Sequence, residues 1–261
     1  MNKKKQVLLQ ILDIKAIYPV FQPIVDLETC QVFAYESLSR IESKNNELNI
    51  EQLFNLAEQY DCVWKLEKLC RDKALKASVH KPLGTKIFLN VDGQIFQDSD
   101  FISGFTNRKL EKFGLLNEDI VFEITERTDI ENYVLLQSIM NHYIEQGYQI
   151  ALDDVGAGYS GLNRVVNTTP NYLKADIELV RHIHLSKSKQ SMMKLLVEYC
   201  DEMGLKLIAE GIETQEELEC FCNSHVHYGQ GYYLGIPERK FNGVSSQALQ
   251  YLMNIYGMIR L

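Results

Sequence analysis

Five acidic side chains and one amide stand in the same place relative to short apolar runs. Glu36 closes Val32-Phe33-Ala34-Tyr35, Glu123 follows Ile120-Val121-Phe122, Asp153 and Asp154 follow Ile150-Ala151-Leu152, and Glu210 follows Leu207-Ile208-Ala209. Asn90 ends Ile87-Phe88-Leu89 in the same way. One acid after a strand reads as a helix N-cap or a solvated loop residue. Six polar groups placed alike read as a set. If the runs are strands of one barrel, their carboxyl ends converge on one mouth and the five carboxylates share a cleft. Two like charges about 4 Å apart repel by roughly 4 kcal/mol at an effective dielectric of about 20, so such a cluster must protonate or hold cations. Carboxylate and amide oxygens suit hard ions such as Mg²⁺ or Mn²⁺, whereas zinc prefers His and Cys. Two divalent ions nearly balance the acids. The adjacent Asp153-Asp154 pair is suited to bridge or flank both, the arrangement that clamps attacking and leaving oxygens in phosphoryl chemistry.

The elements that must position these groups follow from periodicity. Apolar runs rich in Val, Ile, Phe and Tyr alternate with stretches of helical spacing, the signature of βα units. Strands are expected near 17–25, 31–38, 86–91, 119–125, 149–154, 171–174, 205–209 and 225–229. Helices are expected at 50–59, 62–77, 130–146, 187–203 and 214–222, with a last one near 246–257. Eight strands in 261 residues suggest a barrel. The first two are separated only by Asp26 to Cys30, too short for a helical crossover, so that pair should be antiparallel. The expected fold is therefore α/β, a modified TIM (β/α)8-like barrel with one antiparallel strand. Residues 1–16 form an N-terminal helix and 17–261 a single barrel domain.

Composition narrows the partners. With 46% hydrophobic and 24% charged residues the chain is an ordinary soluble globule. A net charge of −8 disfavours a nucleic-acid polymer or an anionic membrane as partner. A small anionic ligand would need cations or a focused basic pocket. Residues 7–17 are interrupted by Gln10, Asp13 and Lys15, which makes an amphipathic helix and not a signal sequence. No apolar run is long enough for a membrane span, so a cytoplasmic protein is expected. Six cysteines without a CxxC pair fit reduced thiols in that compartment.

Motifs along the chain carry a closer resemblance. They are Phe21-Gln22-Pro23-Ile24-Val25, Tyr35-Glu36-Ser37-Leu38-Ser39-Arg40, Phe88-Leu89-Asn90, Phe122-Glu123-Ile124-Thr125-Glu126, Leu152-Asp153-Asp154-Val155-Gly156-Ala157-Gly158-Tyr159-Ser160, Leu173-Lys174-Ala175-Asp176, Ala209-Glu210-Gly211-Ile212-Glu213-Thr214 and Gln230-Gly231-Tyr232. In this order, from about Phe21 to Pro237, the chain resembles the EAL-domain phosphodiesterases that act on the bacterial second messenger cyclic di-GMP. The resemblance implies hydrolysis to linear 5′-pGpG with two Mg²⁺ or Mn²⁺ ions per site. Glu36, Asn90, Glu123 and Asp153 would ligate one ion, and Asp153, Asp154 and Glu210 would place the other. Lys174 would hold and polarise the attacking water, with Glu36 and Glu210 beside it in the catalytic set. Gln22, Arg40, Asp176 and Gln230 would grip the dinucleotide, Arg40 on a phosphate, which a guanidinium fork suits. Glu126, Gly156 and Gly158 would anchor the loop over the metals, and a homodimer is implied. The N-terminal helix is a candidate surface for a protein partner.

Several positions depart from the family pattern. Ser37 replaces the alanine of the signature, Val155 a phenylalanine, Ala157 a threonine, Ala175 an isoleucine, and Asp92-Gly93 a Ser-Pro. None deletes a ligand. The competing readings are a catalytically weak receptor or interaction module on the same fold, and a nucleotide-dependent oxidoreductase. The latter is suggested by the GxGxxG pattern at 156–161 with Asp176 some way on. Against it, Asp153 and Asp154 would repel a pyrophosphate. The pairs His182/His184 and His225/His227 read as structural, and Tyr228, Tyr232 and Tyr233 as packing at the barrel rim.

Overall fold

A computed structural model of the chain describes residues 3–42, 48–125, 133–156 and 161–257. Among these, eight strands close a barrel in sequence order: β1 (Ile17–Asp26), β2 (Val32–Ile41), β3 (Lys86–Val91), β4 (Ile120–Ile124), β5 (Gln149–Val155), β6 (Tyr172–Ala175), β7 (Lys206–Ala209) and β8 (Tyr228–Gln230). Strand β1 runs antiparallel to both β2 and β8, while every other neighbouring pair is parallel. The expected barrel with one antiparallel strand is the fold observed.

The helices are α1 (Lys3–Ile14), α2 (Ile50–Gln59), α3 (Val63–Ala77), α4 (Phe105–Phe113), α5 (Tyr133–Ile144), α6 (Gly161–Val166), α7 (Ile177–Val180), α8 (Lys187–Met203), α9 (Gln215–Asn223) and α10 (Ser246–Ile255). Helix α4 is not among those expected from periodicity. Its nine residues bury only Phe105, Thr106 and Leu110, too few anchors for a periodic signal. None of the described helices is long and apolar enough to cross a membrane.

Three local expectations are corrected. Glu36 does not close its strand: β2 continues to Ile41, because Ile17–Phe21 of the reversed β1 supplies backbone partners for residues 37–41. The last strand begins at Tyr228 and not at 225, because His225 takes φ 54° and its N–H closes a turn onto Cys222 O at 3.1 Å. The three tyrosines do not form one rim cluster. Tyr228 stacks on Phe33 inside the barrel at 4.1 Å between ring centroids, Tyr233 donates to Gln215 Oε1 at 3.3 Å, and Tyr232 is 62% exposed.

Alternation along the strands divides the lumen into layers. Ile24, Ala34, Phe88, Val121, Ala151, Tyr172 and Ile208, with Phe33 and Tyr228 against them, make a dry apolar plug. Burying such a layer contributes roughly 25 cal/mol per Å² of apolar surface removed from water. Two residues further toward the mouth, each strand presents a polar group. The outer faces of the strands pack on the helices through the larger core that includes Leu89, Phe122, Leu152, Leu173 and Leu207.

Candidate functional site

The polar layer follows from strand geometry alone. Side chains two residues apart face the same way, so one plug residue on each of the eight strands, Tyr228 on β8 among them, implies one position a layer up. These are Gln22 on β1, Glu36 on β2, Asn90 on β3, Glu123 on β4, Asp153 on β5, Lys174 on β6, Glu210 just past β7 and Gln230 on β8. Residues as distant in sequence as Gln22 and Gln230 thus meet on one rung.

Lys174 is the hub. Its ammonium lies 2.5 Å from Glu123 Oε1, 2.5 Å from Glu210 Oε1, 3.5 Å from Glu36 Oε2 and 3.7 Å from Asp153 Oδ1, with the lysine side chain 1% exposed. Asn90 Nδ2 donates to Glu36 Oε1 at 3.0 Å, and Gln230 Nε2 donates to Glu36 Oε2 at 2.7 Å and Gln22 Oε1 at 3.2 Å. Gln22 in turn donates to the Gly235 carbonyl at 3.2 Å. Gly231, which follows Gln230, admits no side chain: a Cβ there would fall 2.2 Å from the Ile212 backbone.

Asp153 and Asp154 both reach the mouth because β5 is irregular between them. Successive side chains of a regular strand face opposite sides. Here the β5–β6 register shifts between Leu152 and Val155, and Asp154 adopts φ 56°, a left-handed conformation that Asp tolerates better than most residues. Gly156 follows with φ 105°, and a Cβ there would touch Leu179 at 3.5 Å.

The cluster carries more negative than positive charge, and the carboxyls show it. Burial and then Glu36 lift Glu123 well above the ordinary carboxylate range, against the pull of Lys174. Burial raises Glu210 likewise, with Asp153 and Glu36 adding to it and Lys174 opposing. Burial, Asp153 and Asp176 push Asp154 up to about 7. For Lys174 burial alone would lower the pKa, but the four surrounding carboxylates raise it well above its ordinary value and keep it charged.

Two sets of oxygens stand ready for cations. Glu36, Glu123 and Glu210 bring ligand atoms within 4.8 Å of one another, and so do Asp153, Asp154 and Glu210. Among the described residues Glu123 Oε2 is buried without a hydrogen-bond partner, as is Gln230 Oε1. An orphaned buried carboxylate oxygen is costly unless something absent from the protein satisfies it. All-oxygen donors fit a hard divalent ion. The second set coincides with the one expected for the second ion. In the first, Glu210 joins Glu36 and Glu123, while Asn90 and Asp153 flank them.

The other expected residues are placed less uniformly. Arg40 lies four residues past Glu36, donates to the Ser39 carbonyl at 2.9 Å and lines a cleft of about 210 Å³ together with Asn90, Asp92, Thr125, Glu67 and Arg71. Asp176 caps α7 by accepting the Glu178 N–H at 2.7 Å. Glu126 and Gly158 lie outside the described residues, as do Ala157 and most of the glycine-rich turn. His227 accepts the Leu207 N–H at 3.2 Å through Nδ1 and meets Asp201 at 3.0 Å through Nε2, both structural contacts. Among the described residues the strands form a closed barrel and not the open doubly wound sheet of a dinucleotide fold.

Sequence reasoning missed Glu67 and Arg71. They are 3% and 4% exposed and paired through Arg71 Nη2 and Glu67 Oε1. Glu and Arg at i, i+4 ordinarily read as a solvated surface pair. The available signal was their place on the same stripe of α3 as buried Trp64, Ala74 and Leu75.

Comparison with known proteins fixes the lineage of this barrel. The EAL domain family model matches residues 5–237. The chain belongs to the EAL domain family. Two curated relatives are a probable cyclic di-GMP phosphodiesterase, PdeG, of Escherichia coli and the cyclic di-GMP phosphodiesterase PdeA of Borreliella burgdorferi. PdeG is 25% identical over 226 residues, covering 85% of this chain and 44% of the relative. PdeA is 28% identical over 191 residues, covering 72% of this chain and 28% of the relative. The chain thus spans less than half the length of either. Among solved structures, a standalone EAL protein of Vibrio cholerae bound to cyclic di-GMP superposes with a TM-score of 0.76 at 28% identity, over 89% of this chain and 97% of that one. The calcium and cyclic di-GMP complex of BlrP1 from Klebsiella pneumoniae gives 0.77 at 26% identity, over 88% and 57%.

Proposed function

We propose that this EAL domain hydrolyses cyclic di-GMP to linear 5′-pGpG with the help of two divalent cations, Mg²⁺ or Mn²⁺. The observation that carries the reading is the crowding of Glu36, Glu123, Asp153 and Glu210 around Lys174, with Glu123 Oε2 left without a partner among the described residues. Glu36, Glu123, Asp153, Asp154 and Glu210, with Asn90 beside them, are the residues that would hold the cations. When bound, such ions polarise phosphoryl oxygens and lower the pKa of coordinated water.

The protein's own groups have distinct tasks in this reading. Lys174, buried and held charged by the surrounding carboxylates, orients the water oxygen that attacks phosphorus and holds negative charge that develops there. Arg40 faces a phosphate oxygen from the rim, and its cleft gives room for a flanking base. Gln22 and Gln230, already linked to each other and to Glu36, present amides to the dinucleotide. Asp176, which caps the start of α7, belongs with Gln22, Arg40 and Gln230 among the groups that would grip the dinucleotide. Glu126, Gly156 and Gly158 as anchors of a loop over the site, and assembly into a homodimer, belong to the same proposal.

The test is incubation of the purified chain with cyclic di-GMP and Mg²⁺ or Mn²⁺, with product chromatography. Appearance of linear dinucleotide that is lost in Glu36→Ala supports hydrolysis. Tight cyclic di-GMP binding with no product under either ion replaces it with a receptor role.

A further inference from the structure

The inner faces of β3 and β4 present Asn90 and Glu123 to the mouth, and the backs of the same strands meet a buried cation. Arg71 on α3 donates from Nη1 to Thr106 Oγ1 at 3.2 Å, and from Nη2 to Tyr143 Oη at 3.4 Å and to Glu67 Oε1. Its guanidinium lies 4.9 Å from the ring centroid of Phe122 and 5.6 Å from that of Trp64. Glu67 uses its other oxygen on the main chain, where Oε2 accepts the Asp92 N–H at 3.1 Å. Phe122 immediately precedes Glu123, Asp92 lies two residues past Asn90, and Asn90 and Glu123 are direct cross-strand partners. One ion pair therefore grips both strands from behind, at the rung that carries an amide and a carboxylate.

We propose that Arg71, acting through Glu67, is a positioning residue for the cation site, fixing Asn90 and Glu123 at the separation that cation binding needs. The proposal rests on the reading of the mouth as a cation site. Stability alone does not account for the pair, since apolar side chains of similar volume often stabilise a core as well as a buried ion pair does. An apolar pair could not hold the Asp92 N–H or tie it to the ring of Phe122. Groups that orient ligating residues from behind commonly change metal affinity by about 10- to 100-fold when removed.

The experiment titrates Mn²⁺ into the full chain without substrate, following loss of the free-ion signal by electron paramagnetic resonance, with thermal unfolding of the same samples. Wild type, Arg71→Met and the double variant Glu67→Leu/Arg71→Met are compared. The double variant removes the stranded charge that could unfold the single one. The expected result is Mn²⁺ affinity weaker by about 10- to 100-fold in both variants, including the double variant whose unfolding temperature is restored. Affinity within twofold of wild type in a folded variant overturns the positioning role and leaves the cation site standing. Absence of Mn²⁺ uptake by wild type overturns the cation site itself, and the inference with it.

Discussion

Two buried charge clusters lie on opposite sides of the same barrel wall and are built on opposite terms. Inside, one lysine faces four carboxylates within 3.7 Å, and Glu123 keeps an oxygen with no partner among the described residues. Outside, one arginine faces one glutamate, whose second oxygen is taken by a backbone N–H. The outer pair balances its charge one to one, although Arg71 Nε is buried without a hydrogen-bond partner among the described residues. The inner cluster carries more negative charge than Lys174 offsets. Charge balance, more than burial, separates the pair behind the wall from the cluster at the mouth, to which we assign the chemistry.

The contrast breaks most visibly under substitution. Lys174→Ala or Glu36→Ala should lower turnover of cyclic di-GMP on the order of 10³-fold, the scale of losing one preorganised electrostatic contact in an active site, as measured by steady-state product formation. Arg71→Met should act first on stability: stranding Glu67 costs about 3–5 kcal/mol, which lowers the unfolding temperature by roughly 10 °C at about 2–4 °C per kcal/mol for a chain of this size. Unchanged melting would erase the distinction between the clusters. Cation addition should move the inner cluster alone. At 100 times the dissociation constant Mn²⁺ adds about 2.7 kcal/mol, a rise of roughly 5–10 °C, and a chelator should reverse both this rise and turnover.

Smaller effects sharpen the point. Asp154→Asn removes a carboxyl crowded by Asp153 and Asp176, and Asn accepts the left-handed backbone at this site. The cation-free variant should melt a few degrees above wild type at pH 8 while binding Mn²⁺ more weakly. Differential scanning calorimetry with and without the ion decides it. The pH dependence has a definite sign. Glu123, Glu210 and Asp154 all have folded-state values above the ordinary one near 4, so their contribution is intact below about pH 4. It is lost as pH rises, through about 7 for Asp154 and through the raised values of the two glutamates. The unfolding temperature of chelated protein should therefore fall from pH 5 to 8, and Mn²⁺ should flatten that slope. A chelated protein that gains stability over this range would contradict the crowding.

Much of the inner cluster was legible because strand periodicity is local. An acid directly after an apolar run announces a strand end, and Glu123, Asp153 and Glu210 are legible that way. What periodicity cannot show is where a strand stops when a distant partner prolongs it, as Ile17–Phe21 prolongs β2 past Glu36. Nor does it show that adjacent aspartates need a shift in register to face one way. The outer pair was hidden for a related reason. Spacing of Glu67 and Arg71 is the same on a wet face as on a dry one, and only the rings of Trp64, Phe122 and Tyr143, drawn from three parts of the chain, make it dry. The short α4, with few buried anchors, left no periodic trace.

The reversed first strand has a mechanical consequence. Because β1 runs against its neighbours, its start lies where theirs finish: Ile17 pairs with Ile41, and Ala16 O receives the Glu42 N–H at 2.8 Å. Helix α1 is thus hinged to the rim next to Arg40, whereas a conventional first strand would leave it beneath the floor. Any force applied to α1, by a bound protein or a tethered one, arrives at the entrance directly, with no need to travel through the plug.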